Sequence, residues 1–298
     1  MDGKTPAHCL SFDIEEHFQV SAFASPMRRR HWDVYESRVE RNTDAILRLL
    51  NHRGFKATFF ILGWVAERVP HLVRRLAAGG HEIASHGYGH ELITAQGPQV
   101  FREDIRRAKG ILEDLTGSRV YGYRAPSFSI TAETKWALPI LVEEGYVYDS
   151  SVFPILHDRY GMPGANPQCH QIETVSGKLW ELPPSTVSVG GFRIPVAGGG
   201  YFRLFPYPML RWMLRRIEAE GQSLVVYLHP WELDPAQPRM QGPWLSRFRH
   251  YLNLKKTEGR LTALLNDFEF GPLQAMIPNL LNDANLNGSL RALQEVRT

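Results

Sequence analysis

The chain has 298 residues, and 43% of them are hydrophobic, so it is long enough and apolar enough to bury a substantial core. Its 34 basic and 31 acidic residues leave a formal net charge of +3, which is too small an excess to indicate a nucleic-acid-binding protein. Two cysteines do not make a disulfide framework. The sequence also lacks an apolar run as long as a membrane span and an apolar signal-peptide core, so we expect no membrane span and a cytoplasmic location.

Short apolar segments alternate with amphipathic segments through the first half of the chain, which predicts strands alternating with helices. The predicted strands are Cys9–Ile14, Lys56–Leu62, His81–Ser85, Val120–Arg124 and Tyr146–Asp149. The predicted helices are Asn42–Asn51, Trp64–Ala78, Val100–Leu115 and Ala132–Glu144, the last with Thr131 as its N-cap. Regular alternation of this kind, with units of about 30 residues, indicates a parallel sheet or barrel.

The alternation breaks between Val152 and Gly200, a region rich in proline and glycine. Short alternating runs within this region predict a β-hairpin insertion beside the strand ends. The earlier pattern then resumes with a predicted helix over Pro206–Glu220 and a last strand over Ser223–Leu228. Two more helices are expected between Trp244 and Asp267.

Two histidines lie four residues apart in the stretch Ser85-His86-Gly87-Tyr88-Gly89-His90, where the third predicted strand ends. Neighbouring imidazoles suit a single metal ion, and the two glycines favour a tight loop over a regular helix. A strand end is also where α/β enzymes place their chemistry. The alternative is a surface loop lined by two polar histidines, and the pair alone does not decide between these interpretations.

Four other stretches accompany the histidine pair. They are Phe12-Asp13-Ile14-Glu15-Glu16, Tyr123-Arg124-Ala125-Pro126, Asp149-Ser150-Ser151 and Tyr227-Leu228-His229-Pro230. In this order and spacing the chain resembles the polysaccharide deacetylase family, the NodB-homology carbohydrate esterases, from about Leu10 to Glu232. Within that family it resembles most closely the deacetylases encoded with exosortase and exopolysaccharide systems, in residues 12–20, 180–185 and 198–203.

The resemblance implies an α/β fold, namely a distorted (β/α) barrel of seven or eight units, the NodB-like deacetylase fold. This fold would include the β-hairpin insertion and a C-terminal helical extension. We expect a single domain over residues 1–298, with the barrel in residues 8–232 and the helical extension in residues 233–298.

Family members carry two acids after the first strand, of which the first is the general base and the second binds metal. The usual adjacent pair of aspartates is absent here, because Ile14 follows Asp13. Residues i and i+2 of a strand face the same side, so Asp13 and Glu15 can share the barrel mouth. The resemblance therefore implies Asp13 as the base and Glu15 as the metal ligand, with Glu16 as the alternative.

By the same resemblance, His86 and His90 would complete a two-histidine, one-carboxylate metal site. Zn²⁺ is the default ion for such a site, and Co²⁺, Ni²⁺, Mn²⁺ or Fe²⁺ would also fit. Arg124 would pair with the base and orient it, and His229 would be the general acid that protonates the leaving amine. Taken alone, Arg124 would suggest a surface salt bridge and His229 a structural histidine.

The resemblance also implies residues that contact the substrate. The backbone N–H of Ser127 would help to hold the oxyanion, and Leu228 would form a wall of the acetyl pocket. Further candidates for the substrate groove or its support are Asp149, Tyr201, Trp231, Glu232, Trp180 and Phe202. Aromatic residues of this kind are core residues by default.

These features predict a metal-dependent hydrolase that removes N-acetyl groups from a polysaccharide or oligosaccharide of amino sugars, such as an exopolysaccharide or its lipid-linked precursor. Glu15 stands where the family has a second aspartate. A second interpretation is therefore a hydrolase of small cyclic amides, which would resemble the allantoinase branch of the same superfamily. A third interpretation is a non-catalytic carbohydrate-binding protein on a decayed scaffold. Retention of Asp13, Arg124, His229 and both metal-site histidines counts against decay. We expect no nucleic-acid partner. The sequence does not indicate the oligomeric state.

Overall fold

A computed structural model describes residues 8–23, 29–157, 160–278 and 280. Its strands are β1 (His8–Ile14), β2 (Thr58–Ile61), β3 (Glu82–Ser85), β4 (Gly122–Tyr123), β5 (Tyr148–Asp149), β6 (His170–Thr174), β7 (Gly177–Glu181), β8 (Thr186–Val189), β9 (Phe192–Pro195), β10 (Val225–Leu228) and β11 (Phe270–Gly271). Its helices are α1 (Val39–Arg53), α2 (Gly63–Arg68), α3 (Pro70–Ala78), α4 (Pro98–Thr116), α5 (Ala137–Glu143), α6 (Gly199–Leu204), α7 (Tyr207–Ala219), α8 (Trp244–Tyr251) and α9 (Leu254–Asp267).

The main sheet has the strand order β10-β1-β2-β3-β4-β5-β7-β6, and β11 pairs with the beginning of β1. From β10 to β7 all neighbours are parallel, and only β6 runs antiparallel to its neighbour. The outer edge of β10 is covered by the chain that follows β7, because Ser185 N donates to Val225 O and Tyr227 N donates to Ala197 O. The sheet thus curves into the distorted barrel that the sequence predicts.

Burial explains why the central strands form. All seven residues of β1 are buried, which is typical of a parallel strand covered on both faces. The largest apolar cluster fills the space between the sheet and α1, α3, α4, α5, α7 and α9. Helix α1 ends at Arg53 and is followed by Gly54, whose positive φ of +69° favours glycine.

Two predicted helices differ from the structure. The segment Trp64–Ala78 forms two helices, since Val69 has non-helical backbone angles and Pro70, which has no N–H to donate, begins α3. The helix predicted from Ala132 begins only at Ala137, and its predicted N-cap is wrong. Thr131 instead donates its backbone N–H to Thr134 Oγ1 in a turn before the helix.

The predicted insertion contains two hairpins. Strands β6 and β7 form the first, and β8 and β9 form the second as a separate two-stranded sheet. Strand β7 also joins the main sheet beside β5, with Asp149 opposite Glu181. The insertion is therefore partly an element of the barrel.

The region after residue 232 contains α8 and α9, as predicted, and also the short strand β11. Residues 281–298, the end of the predicted helical extension, lie outside the described residues. In the part of the chain that the structure describes, no helix has both the length and the apolar content to cross a membrane.

Candidate active site

The loop that carries both histidines follows β3 and is held by Asp104 of α4. The Asp104 carboxylate accepts hydrogen bonds from the backbone N–H of Tyr88 at 2.8 Å and of Gly89 at 3.1 Å. Gly87 has a φ of +73°, and a Cβ at this position would lie 2.7 Å from Asp104 Oδ2. His90 also has a positive φ of 49°. This conformation brings His90 back toward the end of β1.

Glu15, His86 and His90 meet at the carboxyl end of the sheet. One ligand atom from each lies within 4.8 Å of the others, and Glu15 Oε2 is 2.7 Å from His90 Nε2. All three side chains are buried. Two imidazoles and one carboxylate are a donor set that suits a divalent transition metal, so these residues fit the predicted metal site.

Hydrogen bonding and charge prepare these groups for a cation. His86 Nδ1 donates to Arg124 O at 2.8 Å, so the Nε2 lone pair of the neutral ring is left for a ligand. Burial lowers the pKa of His86 to about 4, so its ring is neutral at pH 7. Burial alone would raise the pKa of Glu15, but the neighbouring histidines, His90 foremost, hold it well below its usual value.

Glu16, the alternative ligand, has a different partner. Its Oε1 accepts the backbone N–H groups of Arg38 at 3.0 Å and Val39 at 3.1 Å, and the hydroxyl of Ser37. These groups lie at the beginning of α1, so the carboxylate satisfies N–H groups that lack a partner within the helix. The geometry places Glu15, and not Glu16, beside the histidines.

Asp13 is held by Arg124, which crosses the barrel from the end of β4. Arg124 Nη1 donates to Asp13 Oδ1 at 2.7 Å and to Ser11 Oγ at 2.8 Å. Its other nitrogens donate to the backbone and hydroxyl oxygens of Ser150. The guanidinium carbon also lies 4.1 Å from the centre of the Phe60 ring. The fully buried Arg124 therefore fixes one oxygen of Asp13 and leaves Oδ2 for other partners.

His229 follows β10 and faces both carboxylates of the site. Its Nε2 lies 3.8 Å from Asp13 Oδ2 and 3.7 Å from Glu15 Oε1, while Nδ1 is 2.7 Å from Glu232 Oε1. Burial by itself would lower the pKa of His229, but the hydrogen bond to Glu232 and the nearby carboxylates raise it to about 9. The ring is consequently an imidazolium at neutral pH when no cation is bound nearby.

Glu232 in turn is held by Arg203 of α6. Arg203 Nε donates to Glu232 Oε2 at 2.6 Å, and Nη1 donates to the carbonyl oxygens of His250 and Leu252. Both charged side chains are almost completely buried. The sequence signals for this pair were weak, since Glu232 was one of several groove candidates and Arg203 was only part of a subgroup motif.

Trp231 supports the metal-site carboxylate. Its indole Nε1 donates to Glu15 Oε1 at 3.0 Å, and its ring stacks between His229 and His250, with centroids 5.1 Å and 4.2 Å away. Trp231 thus occupies Oε1 of Glu15, whereas the buried Oε2 lies 2.7 Å from His90 Nε2 and has no hydrogen-bond donor among the described residues. The indole fixes the orientation of this carboxylate.

Two segments of the chain match models of protein families. Residues 31–141 match the family model described as polysaccharide deacetylase, and residues 150–278 match one described as a domain of unknown function (DUF3473). The peptidoglycan-N-acetylglucosamine deacetylase of Bacillus cereus is 36% identical over 96 residues, which are 32% of this chain and 35% of that protein. Residues 31–141 of the chain are therefore similar to the polysaccharide deacetylase family. The chain spans about a third of the length, or less, of the curated relatives that it matches.

Solved structures show the same fold. A Mycobacterium smegmatis protein assigned to the polysaccharide deacetylases is 19% identical with a TM-score of 0.60, over 93% of this chain and 91% of that chain. Puue allantoinase is also 19% identical, with a TM-score of 0.54 over 86% of each chain. At such identities the likeness extends to the fold alone.

The residues predicted to contact the substrate differ in their burial and in their partners. Ser127 follows β4 with a φ of 51°, and its hydroxyl donates to Ser21 Oγ. Leu228 and Trp231 are buried, Trp231 donates to Glu15, and Tyr201 is half-buried on α6. Asp149 is completely buried, and its Oδ1 accepts the hydroxyl of Ser151.

Two aromatic candidates are core residues. The prediction that Phe202 lines the substrate groove is wrong, because its side chain is fully buried in the main apolar cluster. Trp180 is half-buried in β7 and packs against the second apolar cluster. Both therefore stabilise the fold, as aromatics usually do.

Proposed function

We propose that this protein hydrolyses N-acetyl groups of amino-sugar residues, releasing acetate and leaving a free amine on the polymer. One observation carries the proposal. His229, which is held by Glu232, lies within 4 Å of two carboxylates: that of Asp13, which is held by Arg124, and that of Glu15, which belongs to the candidate metal site. Amide hydrolysis needs these three elements: an electrophilic centre, a base and an acid.

Glu15, His86 and His90 would hold a divalent cation, for which Zn²⁺ is the first choice. Such an ion polarises an amide carbonyl and lowers the pKa of an attacking water. Asp13 would take a proton from the water, because Arg124 occupies Oδ1 and leaves Oδ2 facing the site. The water oxygen then bonds to the carbonyl carbon.

His229 would give its proton to the leaving amine as the carbon–nitrogen bond breaks. Its Nδ1 is engaged with Glu232, so the proton that it transfers is the one on Nε2. The hydrogen bond from Nδ1 to the Glu232 carboxylate favours the protonated ring, which a general acid requires. Acetate carries the water oxygen away, and the sugar keeps the free amine.

An exopolysaccharide or its lipid-linked precursor is the proposed substrate. Three stretches of the sequence, including Trp180–Ser185, resemble deacetylases encoded with exopolysaccharide systems. The hairpins β6–β7 and β8–β9 follow the barrel strand β5 and give the chain further surface for a polymer. We treat residues 1–298 as one domain, with barrel 8–232 and extension 233–298, because β11 of the extension pairs with β1.

The substrate class is tested with N-acetylglucosamine oligomers of increasing length and, separately, with allantoin and related cyclic ureides. We expect acetate release by the Zn²⁺-loaded chain to rise with oligomer length, because remote sugars contribute binding energy to the transition state. An Asp13→Asn variant is the inactive control. Ring opening of a ureide without acetate release would instead support the cyclic-amide hydrolase.

A further inference from the structure

Helix α8 has two opposite faces. The inner face contains Ser246 and His250, both buried, and the His250 ring stacks on Trp231. The outer face carries three large apolar side chains, with Trp244 76%, Leu245 41% and Phe248 51% exposed. Their spacing of i, i+1 and i+4 confines them to an arc of about 100° on the helix surface. An apolar stripe of this kind on a protein surface indicates a contact surface.

Positive charge borders this stripe. At about 100° per residue, Arg247 lies on one side of the three apolar residues and Arg249 on the other. The acid-free segment 235–257 contains α8 and five exposed basic residues: Arg239, Arg247, Arg249, Lys255 and Lys256. The whole chain has a formal net charge of only +3, so the charge of this segment is a local feature.

We propose that α8 docks on the surface of an anionic phospholipid bilayer. Helices that lie in the membrane interface combine tryptophan, phenylalanine and leucine on one side with arginine or lysine at its borders. The apolar side chains would enter the boundary between headgroups and acyl chains, and the arginines would contact anionic headgroups. Charge complementarity favours a bilayer of acidic lipids, because no carboxylate within residues 235–257 would oppose it.

Docking at this helix would bring the candidate active site close to the membrane. The inner face of α8 contacts Trp231, which donates to Glu15, and Arg203 binds the carbonyl of His250. A substrate attached to a lipid would then be held near the site. The docking surface itself does not depend on the proposed deacetylation, because vesicle binding requires no catalysis.

The test is co-sedimentation of the full chain with vesicles of phosphatidylcholine, with and without about 30% phosphatidylglycerol. We expect binding to the anionic vesicles, which added salt weakens, and little binding to phosphatidylcholine alone. Replacing Trp244→Ser and Phe248→Ser together should reduce the partition coefficient about tenfold or more, because both inserted side chains are lost. Phe192→Ser is the matched control, since Phe192 is 78% exposed on β9.

Failure of the wild-type chain to sediment with anionic vesicles would overturn the proposal and leave this face for a protein partner. The proposal would also be overturned if the Trp244→Ser/Phe248→Ser variant bound fully while Arg247→Glu lost binding. That result would indicate a charged patch that attracts the vesicle without insertion of apolar side chains. Acetate release from soluble oligomers should be equal in wild type and docking variants. An inactive wild type that binds vesicles would contradict the proposed function and not the docking surface.

Discussion

Glu232 accepts two hydrogen bonds from His229, one from Nδ1 at 2.7 Å and one from the backbone N–H at 3.0 Å. The ionised carboxylate cannot donate, so Nδ1 carries a proton and Nε2 is directed at Asp13 and Glu15. Arg203 holds the other oxygen of Glu232. The proposed general acid thus has its tautomer and its orientation set by residues on α6 and after β10.

Glu232→Gln should lower the pKa of His229 from about 9 toward the 6.5 of an unperturbed histidine. The reason is the loss of a negative partner that stabilises the imidazolium. An NMR titration of the metal-free chain measures this pKa directly. Glu220→Gln is the control, because Glu220 is exposed and pairs with Arg216 on α7. An unchanged His229 titration in Glu232→Gln would contradict the assigned role.

Substitution of the three proposed metal ligands should remove bound metal, whereas substitution of Glu16 should not. We expect Glu15→Gln, His86→Ala and His90→Ala each to lose bound metal, measured by elemental analysis after dialysis against a Zn²⁺ buffer. Glu16→Gln should keep its metal but lose stability of about 1 kcal/mol, because Glu16 caps the beginning of α1. Metal loss in Glu16→Gln with retention in Glu15→Gln would reverse the assignment.

Asp13→Asn should keep its metal and lose about 10²–10⁴-fold in turnover, the usual cost of removing a general base. The asparagine oxygen can still accept the hydrogen bond from Arg124, so the site keeps its shape. Rates of acetate release at saturating substrate measure the effect. Ser11→Ala is the matched control, because it removes another acceptor of Arg124 and leaves the carboxylate intact. An equal loss in both variants would indicate disturbed packing and not a lost base.

Much of this geometry was predictable because motifs at strand ends are local in sequence. Parallel strands bring Glu15, the two histidines, Asp13 and Arg124 to one edge of the sheet, and the resemblance to the family implied the barrel and the pairing of Arg124 with Asp13. The prediction of one helix across Pro70 was wrong, although proline at the first turn of a helix is a sequence signal that indicates the break. The cytoplasmic location, the polymer and the metal stay predictions.

Other parts of the site depend on contacts between distant segments. Arg203 and Glu232 are brought together by the packing of α6 on the turn after β10, which no local pattern encodes. Asp104 did have a sequence signal, because it is an acid beside Phe101 and Ile105 on the buried face of α4. An isolated acid on an apolar helix face often has a specific partner, here the histidine loop.

The pairing of Asp149 with Glu181 is another contact that only the fold creates. The two residues are opposite each other on β5 and β7, and both are fully buried. Burial raises the pKa of Asp149 to about 6, and burial together with the charge of Asp149 raises the pKa of Glu181 well above its usual value. Ser150, next to Asp149, binds Arg124, so the pair borders the network that holds Asp13.

This pair should make the chain less stable as pH rises. Because both pKa values are raised by folding, the folded state binds more protons than the unfolded state above about pH 4.5. The free energy of unfolding should therefore fall as pH increases through about 6 and beyond. Glu181→Gln supplies a permanently neutral partner, so it should flatten the pH dependence of the free energy of unfolding and raise the melting temperature at pH 8 by a few degrees.

The control is Glu173→Gln, which lies on the exposed side of the same hairpin. Calorimetry at pH 5 and at pH 8 measures the stability of each variant. Parallel stability curves for wild type and Glu181→Gln would contradict the raised pKa of Glu181.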